Sequence, residues 1–291
     1  MTETVLAVIG GSGLYALDGL EVTATREVKT PWGAPSGPVT EGRLAGRRLL
    51  FLARHGAGHA IPPGDVNYRA NIDALKRLGA TDVLAVSSVG SFREDRAPGT
   101  FTVVDQYVDR TRGRREASFF GPGLVAHVSM ARPVCPALSA RVAEAARAAG
   151  VTTHDGGTYL AMEGPQFGTL AESELYRSWG MDVVGMTGMP EAKLAREAEL
   201  PDACCAMVTD YDCWHEPSGA VDVASVMAVM GRNGESARAM LRALVEALPA
   251  EREACPLGIE TCLDAAIITP PDARDPALVA RLDAVAGRVL R

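Results

Sequence analysis

The segment that most narrows the fold is the apolar run Ala203-Cys204-Cys205-Ala206-Met207-Val208, which leads directly into Thr209-Asp210-Tyr211-Asp212-Cys213-Trp214. A run of that length, with Pro201 and Asp202 before it and polar residues after, predicts a buried strand whose C-terminal edge opens into a loop. In open α/β sheets small ligands sit in the crevice beyond such edges. Asp210 and Asp212 are therefore candidates for holding a group with several hydrogen-bond donors, and a 6-aminopurine, with its amine beside a ring nitrogen, fits. The alternative is a solvated Asx-type turn. A calcium loop is excluded, because the pattern lacks its Gly and its distal Glu.

The flanking sequence predicts an α/β protein. Residues 5–9, 22–28, 39–44, 48–52, 83–86, 100–104, 158–162 and 182–186 read as strands, with a turn at Pro31-Trp32-Gly33-Ala34-Pro35. Helices are expected over 67–78, 137–149, 170–179, 190–199 and 275–290, and over 221–248 with a bend at 231–234. Residues 109–136 read as irregular. Strands alternating with helices after a β-rich beginning imply a three-layer α/β/α fold with a mixed central sheet. No linker, repeat or low-complexity block divides the 291 residues, so one domain over 1–291 is expected.

Charge and cysteine usage exclude several classes. With 29 basic and 36 acidic residues the net charge is −7, which argues against a nucleic-acid partner. The one basic cluster, Arg110, Arg112, Arg114 and Arg115, reads as a solvated loop or a subunit contact. No apolar stretch reaches the ~18 residues of a membrane span, and Met1-Thr2-Glu3-Thr4 lacks the basic start of a signal peptide, so a cytoplasmic location is expected. The six cysteines include no C-x-x-C, and buried reduced thiols are expected; a Cys255–Cys262 bridge is possible.

Other strand ends carry groups suited to an anion. Gly11-Ser12-Gly13-Leu14-Tyr15-Ala16 follows a strand and formally fits the dinucleotide fingerprint. The required crossover helix is missing, because Leu17-Asp18-Gly19-Leu20 breaks it early. What survives is a glycine loop able to cradle an anion, or a plain turn. Arg54 and His55 follow the strand ending at Leu52; the arginine fork matches phosphate oxygens, and histidine adds another donor. His55 and His59 stand four apart, but Gly56 and Gly58 disfavour the helix a metal pair needs, so no metal site is expected. Ser87-Ser88 and Thr187 close two further strands. Ser12, Arg54 with His55, Ser87 and Thr187 together would bind inorganic phosphate. Phe167, after Gly164-Pro165, is either a core aromatic or a ring lying on a flat base.

These residues resemble the trimeric purine nucleoside phosphorylases, and within them the branch acting on 5′-methylthio nucleosides. The likeness runs over residues 5–247 and rests on Ile9-Gly10-Gly11-Ser12-Gly13-Leu14, Leu52-Ala53-Arg54-His55-Gly56, Val66-Asn67-Tyr68-Arg69-Ala70-Asn71, Glu163-Gly164-Pro165, Met186-Thr187 with Pro190-Glu191, and Thr209-Asp210-Tyr211-Asp212-Cys213-Trp214. It implies a purine nucleoside phosphorylase-like fold, with residues 255–291 as a poorly matched C-terminal extension ending in a helix. It implies phosphate held by Ser12, Arg54, His55, Ser87, Ser88 and Thr187, with Met186 under the ribose. Phe167 would pack on the purine, and Asp210, Tyr211 and Asp212 would bind its N7 and amino edge. His59, Val223, Val226, Ile268 and a neighbouring subunit's His127 would surround the 5′ substituent, and Gly168 replaces a hydroxyl residue that bears on base selectivity.

The expected reaction is reversible phosphorolysis of 5′-methylthioadenosine by a cytoplasmic homotrimer or dimer of trimers, with phosphate as co-substrate and no metal or organic cofactor. Breaking an N-glycosidic bond leaves electron density on the purine, so an acid at N7 lowers the barrier. The closest rival is a phosphorylase for methylthioinosine or for purine nucleosides in general. A non-catalytic nucleotide-binding module is the rival from another class.

Overall fold

The computed structural model describes residues 3–290 apart from 12, 13, 15, 16, 114 and 216–222. The first strand shows how the layers arise. In β1 (Val5–Gly10) every residue is buried, with Leu6 and Val8 in one apolar core and Val5, Ala7 and Ile9 in another. A strand hidden on both faces must lie inside a sheet that is covered on both sides.

In chain order there follow β2 (Glu21–Arg26), β3 (Val39–Leu44), β4 (Arg47–Ala53), α1 (Tyr68–Arg77), β5 (Asp82–Ser91), β6 (Phe101–Val104), β7 (Gln106–Arg110), α2 (Pro136–Ala148), β8 (Thr153–Asp155), β9 (Thr158–Met162), α3 (Leu170–Ser178), β10 (Val183–Gly185), α4 (Gly188–Glu197), β11 (Asp202–Asp210), α5 (Val223–Ala247), α6 (Pro276–Arg281) and α7 (Gly287–Leu290). The strands form one mixed sheet in the order β2-β3-β4-β1-β5-β10-β9-β7, and β11 lies beside β5 and leads through β6 to β8. β1 pairs parallel with β4 and β5, and β5 parallel with β11. β10 runs antiparallel to the end of β5, with Val183 opposite Ser91.

Two helical layers complete the expected α/β/α arrangement. Leu138 and Val142 of α2 and Leu241 and Leu244 of α5 pack on Leu6, Val8, Leu84 and Cys205. On the other face Ile72 and Leu75 of α1 and Leu194 of α4 meet Ala7, Ile9, Leu50 and Val83. The C-terminal segment joins this packing rather than standing apart: Cys255 and Ile259 enter the first core, and Leu263, Leu278, Leu282 and Val285 the second. Local sequence fixes the helix starts. The Asn67 side chain caps α1 by accepting from the Ala70 amide at 3.1 Å, and Thr169 with Glu172 forms a capping box on α3.

Several sequence expectations need correction. β5 continues through Ser91 instead of ending at residue 86, because β11 and β10 supply partners along its second half. β7 and β8 fall where no strand was expected. α5 runs uninterrupted through Gly231 and Gly234. The helix expected over 275–290 is two short ones separated by turns. All six cysteines are free, so Cys255 and Cys262 are not bridged. Among the described residues no helix is long and apolar enough to cross a membrane.

Candidate active site

Parallel pairing puts the C-terminal ends of β1, β4, β5 and β11 along one edge. β10 enters from the opposite direction and carries Met186 and Thr187 alongside the middle of β5. Ser87 and Thr187, a hundred positions apart, thus become neighbours: their hydroxyls are 3.3 Å apart and buried. Arg54 is anchored beside them, its amide donating to the Gly10 carbonyl at 3.0 Å. Ser88 is half-buried next to Ser87. Ser12 and the Val223 side chain lie outside the described residues.

His55 differs from the sequence expectation in its polarity. Its Nδ1 lies 2.8 Å from the Ile61 carbonyl, which can only accept, so Nδ1 carries the hydrogen. Burial pushes the imidazole down to about 4, with the Arg54 charge adding to the shift against the Ile61 hydrogen bond. At neutral pH the ring is uncharged and Nε2 holds a lone pair. His55 therefore presents an acceptor through Nε2, not the extra donor expected. His59, in the left-handed region at φ 57°, stacks on it with ring centres 4.2 Å apart.

The paired acids sit three residues further along β5. A bulge between Val208 and Asp210 places Asp210 opposite Gly90, and bulges of this kind re-aim a side chain. The distortion is held on both sides: Asn233 of α5 donates to the Val208 carbonyl at 2.9 Å, and the Thr209 hydroxyl oxygen lies 3.1 Å from the Val89 carbonyl, its one hydrogen going to the shorter contact with Asp210. The Asp210 carboxylate accepts from the Thr209 hydroxyl at 2.7 Å and from the Asp212 amide at 2.8 Å. Gly90 is required here, since a Cβ would stand 2.8 Å from Asp210 Oδ1. Asp212 turns in the left-handed region at φ 54° and is 7% exposed. Burial raises both carboxyl groups above the usual aspartate range, so either holds a proton more readily than a solvated one.

The loop after β9 flanks these acids. Cys213 Sγ donates to the Gly168 carbonyl at 3.6 Å, which brings the neighbouring Phe167, 48% exposed, to the same end of the sheet. A Cβ at Gly168 would meet only Glu172, at 4.0 Å, so a larger residue fits there. Tyr211 donates through its hydroxyl to the Glu94 carbonyl and stacks on His215. Val226 is half-buried on α5. His127 and Ile268 are exposed side by side, joined by the bridge between Ala126 and Ile267. They stand on an open surface of the single chain.

Three side chains that organise this edge escaped the sequence reading. Arg115 is not a solvated residue: it is buried, with Nε on Glu163 at 3.0 Å and Nη1 on the Met186 and Met189 carbonyls at 2.6 and 2.8 Å, on either side of Thr187. Glu191 forms a two-pronged buried pair with Arg54, both contacts 2.8 Å. The Tyr159 hydroxyl accepts from the Thr187 amide at 3.3 Å. Its one sequence signal is the glycine at 185, where a Cβ would collide with that hydroxyl. A cavity of about 550 Å³, lined by Val103, Ser139, Ala143 and Leu257, lies by α2 and includes none of these groups.

The chain matches the phosphorylase superfamily over residues 5–246. It is 58% identical to the S-methyl-5'-thioadenosine phosphorylase of Cereibacter sphaeroides, over 99% of each chain. With the enzyme of the same name from Bradyrhizobium diazoefficiens it shares 55% identity over the full length of both. Among solved structures, a methylthioadenosine phosphorylase from an Antarctic soil metagenomic library superposes with a TM-score of 0.91 at 40% identity, covering 98% of this chain and 99% of the other. Methylthioadenosine phosphorylase from Schistosoma mansoni in complex with adenine superposes with a TM-score of 0.85 at 35% identity, covering 91% and 99%.

Proposed function

The chain belongs to the phosphorylase superfamily, and from that premise we propose that it catalyses the reversible phosphorolysis of 5′-methylthioadenosine, giving adenine and 5-methylthioribose 1-phosphate. The observation that carries the reading is the spacing along β5. Ser87, paired with Thr187, and Gly90, opposite Asp210, are three residues apart, which at ~3.3 Å per residue is about 10 Å. That span suits an oxyanion at one end and a purine ring at the other, with a sugar between them.

In this reading Ser12, Ser87, Thr187, the Ser88 amide, Arg54 and His55 hold phosphate below the ribose, with Met186 also under the sugar. A phosphate oxygen forms the new bond to the anomeric carbon as the bond to purine N9 breaks. The electron pair of that bond passes into the purine, and the Asp210 carboxyl gives or shares its proton at N7. Burial of Asp210 favours the protonated form this step requires. Asp212 accepts from the 6-amino group, and Phe167 and Tyr211 enclose the ring. A 6-oxo purine would set an acceptor against the acceptor Asp212, so adenine is preferred to hypoxanthine. The proposed chemistry draws on no metal or organic cofactor.

The finer assignments follow the same line. We place the enzyme in the cytoplasm, which suits its six free thiols, and we propose a homotrimer in which a neighbour's His127, together with the Ile268 that stands beside it, completes the pocket for the methylthio group beside His59, Val223 and Val226. The exposure of His127 and Ile268 on one surface supports this arrangement. The deciding experiment supplies methylthioadenosine, methylthioinosine, adenosine and inosine in competition at one phosphate concentration. Phosphate-dependent release of adenine from methylthioadenosine should dominate; preferential use of methylthioinosine would refute the base assignment, and purine binding without phosphate-dependent release would refute the activity.

A further inference from the structure

Arg54 has little of its donor capacity left for a ligand. A guanidinium offers five N–H bonds. The Nε hydrogen goes to Glu191 Oε2 at 2.8 Å, and Nη2 donates to Glu191 Oε1 at 2.8 Å and to the Ile9 carbonyl at 3.2 Å. Nη1 donates to the Val86 carbonyl at 3.1 Å. Among the described residues one Nη1 hydrogen remains. The group is thus pinned by the end of β1, the middle of β5 and the first turn of α4, and the planar edge that could have gripped an anion with two bonds is committed to Glu191.

This pair is buried on both sides, with side-chain exposures of 3% and 4%, and burial alone would work against the arginine's charge; Glu191 overrides it and keeps the guanidinium protonated. The carboxylate also comes from the element that begins at Thr187, so the contact fixes Arg54 relative to the hydroxyl of Thr187. We propose that Glu191 is a positioning residue for the oxyanion site: it orients Arg54 so that a single N–H faces phosphate, and it ties that donor to the segment carrying Thr187. The inference rests on the assignment of phosphate to Arg54. Glu191 touches no substrate and acts only through the arginine.

The test measures phosphate and methylthioadenosine dependence separately in Glu191→Gln, Arg54→Met and the double variant. Glu191→Gln should raise the KM for phosphate about tenfold or more, the scale expected for a misplaced charged hydrogen bond, while the KM for methylthioadenosine and the dissociation constant for adenine stay within about twofold. In the Arg54→Met background the added Glu191→Gln should change the phosphate KM no further, since nothing remains for the carboxylate to orient. An unchanged phosphate KM in Glu191→Gln alongside a raised one in Arg54→Met overturns the proposal and leaves the phosphate site standing. An unchanged phosphate KM in Arg54→Met refutes the site itself. Equal rises in both substrate KM values, or additive effects in the double variant, assign Glu191 a general structural role and also overturn the proposal. If Glu191→Gln does not fold because it strands a buried arginine, Glu191→Asp keeps the charge balance but shortens the reach: a several-fold rise confined to phosphate supports the inference, and an unchanged value overturns it.

Discussion

At the scale of single residues the proposed chemistry rests on two groups whose pKa values the fold shifts in opposite directions. Burial raises Asp210 against the two hydrogen bonds that its carboxylate accepts, so in the proposed reaction it is suited to keep a proton for purine N7. Asp210→Asn should lower the rate of methylthioadenosine phosphorolysis by ~100-fold or more, as removal of a general acid does, in assays of adenine release; near-normal turnover would refute its role. His55 is held neutral with Nδ1 spent on Ile61, leaving Nε2 to accept. An anion seated against it should carry a hydroxyl. Arsenate, which has one at neutral pH, is expected to replace phosphate in driving adenine release, whereas sulfate, which has none, should compete at least ~10-fold more weakly, the cost of an unmatched acceptor pair. Equal inhibition by both oxyanions would contradict this polarity. Ser87, Thr187, Asp210 and Asp212, which the fold brings to one edge of the sheet, could be singled out in the sequence because hydroxyls and acids recur together at its strand ends. The polarity of His55 was not visible, because it depends on a carbonyl six positions away that only the loop conformation brings back.

Elements were legible where periodicity was strong and obscure where pairing came from afar. α1, α2 and β9 could be placed from apolar spacing, caps and glycine stops. β8 has three residues and no pattern, and β7 is mostly polar because it lies at the sheet margin. The second half of β5 reads as turn-forming Ser and Gly, yet pairing with β10 and β11 overrides that preference. Arg115 looked like one of four basic residues, and only tertiary structure reveals that it fastens the segment between β10 and α4. Arg115→Met should destabilise the protein by about 3 kcal/mol or more, the usual loss when one partner of a buried pair is stranded, and adding Glu163→Gln should recover part of it in denaturant unfolding. Loss of less than a few tenths of that amount would remove Arg115 from this role. Glu197 secures the irregular stretch before α2 to α4, accepting from the Phe119 amide and the Ser118 hydroxyl, both at 2.7 Å. Burial nevertheless raises its carboxyl to about 7 against those hydrogen bonds. The folded form thus binds a proton that the unfolded form releases near 4.5, so this group's stabilisation is present below about 4.5 and is lost as pH rises to about 7. Unfolding midpoints at about pH 5 and about pH 7.5 should converge in Glu197→Gln relative to the parent chain; identical slopes would contradict the assignment.

For the whole molecule, one mixed sheet gathers side chains from residues 54 to 212 along a single edge, while His127 and Ile268 face outward on another surface. If subunits share sites as proposed, two different inactive variants can complement each other. Co-expressed His127→Ala and Asp210→Asn chains should show adenine release well above either variant alone, because some mixed sites receive both intact contributions. Activity no greater than the sum of the separate variants would place His127 outside the reacting pocket. Within each chain the bulge between Val208 and Asp210 has a wider meaning. Side chains alternate along a strand, and the unpaired Thr209 interrupts that alternation just before Asp210, so the step from the proposed phosphate end to the proposed purine end runs through one irregular position. A single surplus amino acid thus serves as the adjustable joint through which this architecture could be retuned to a different heterocycle.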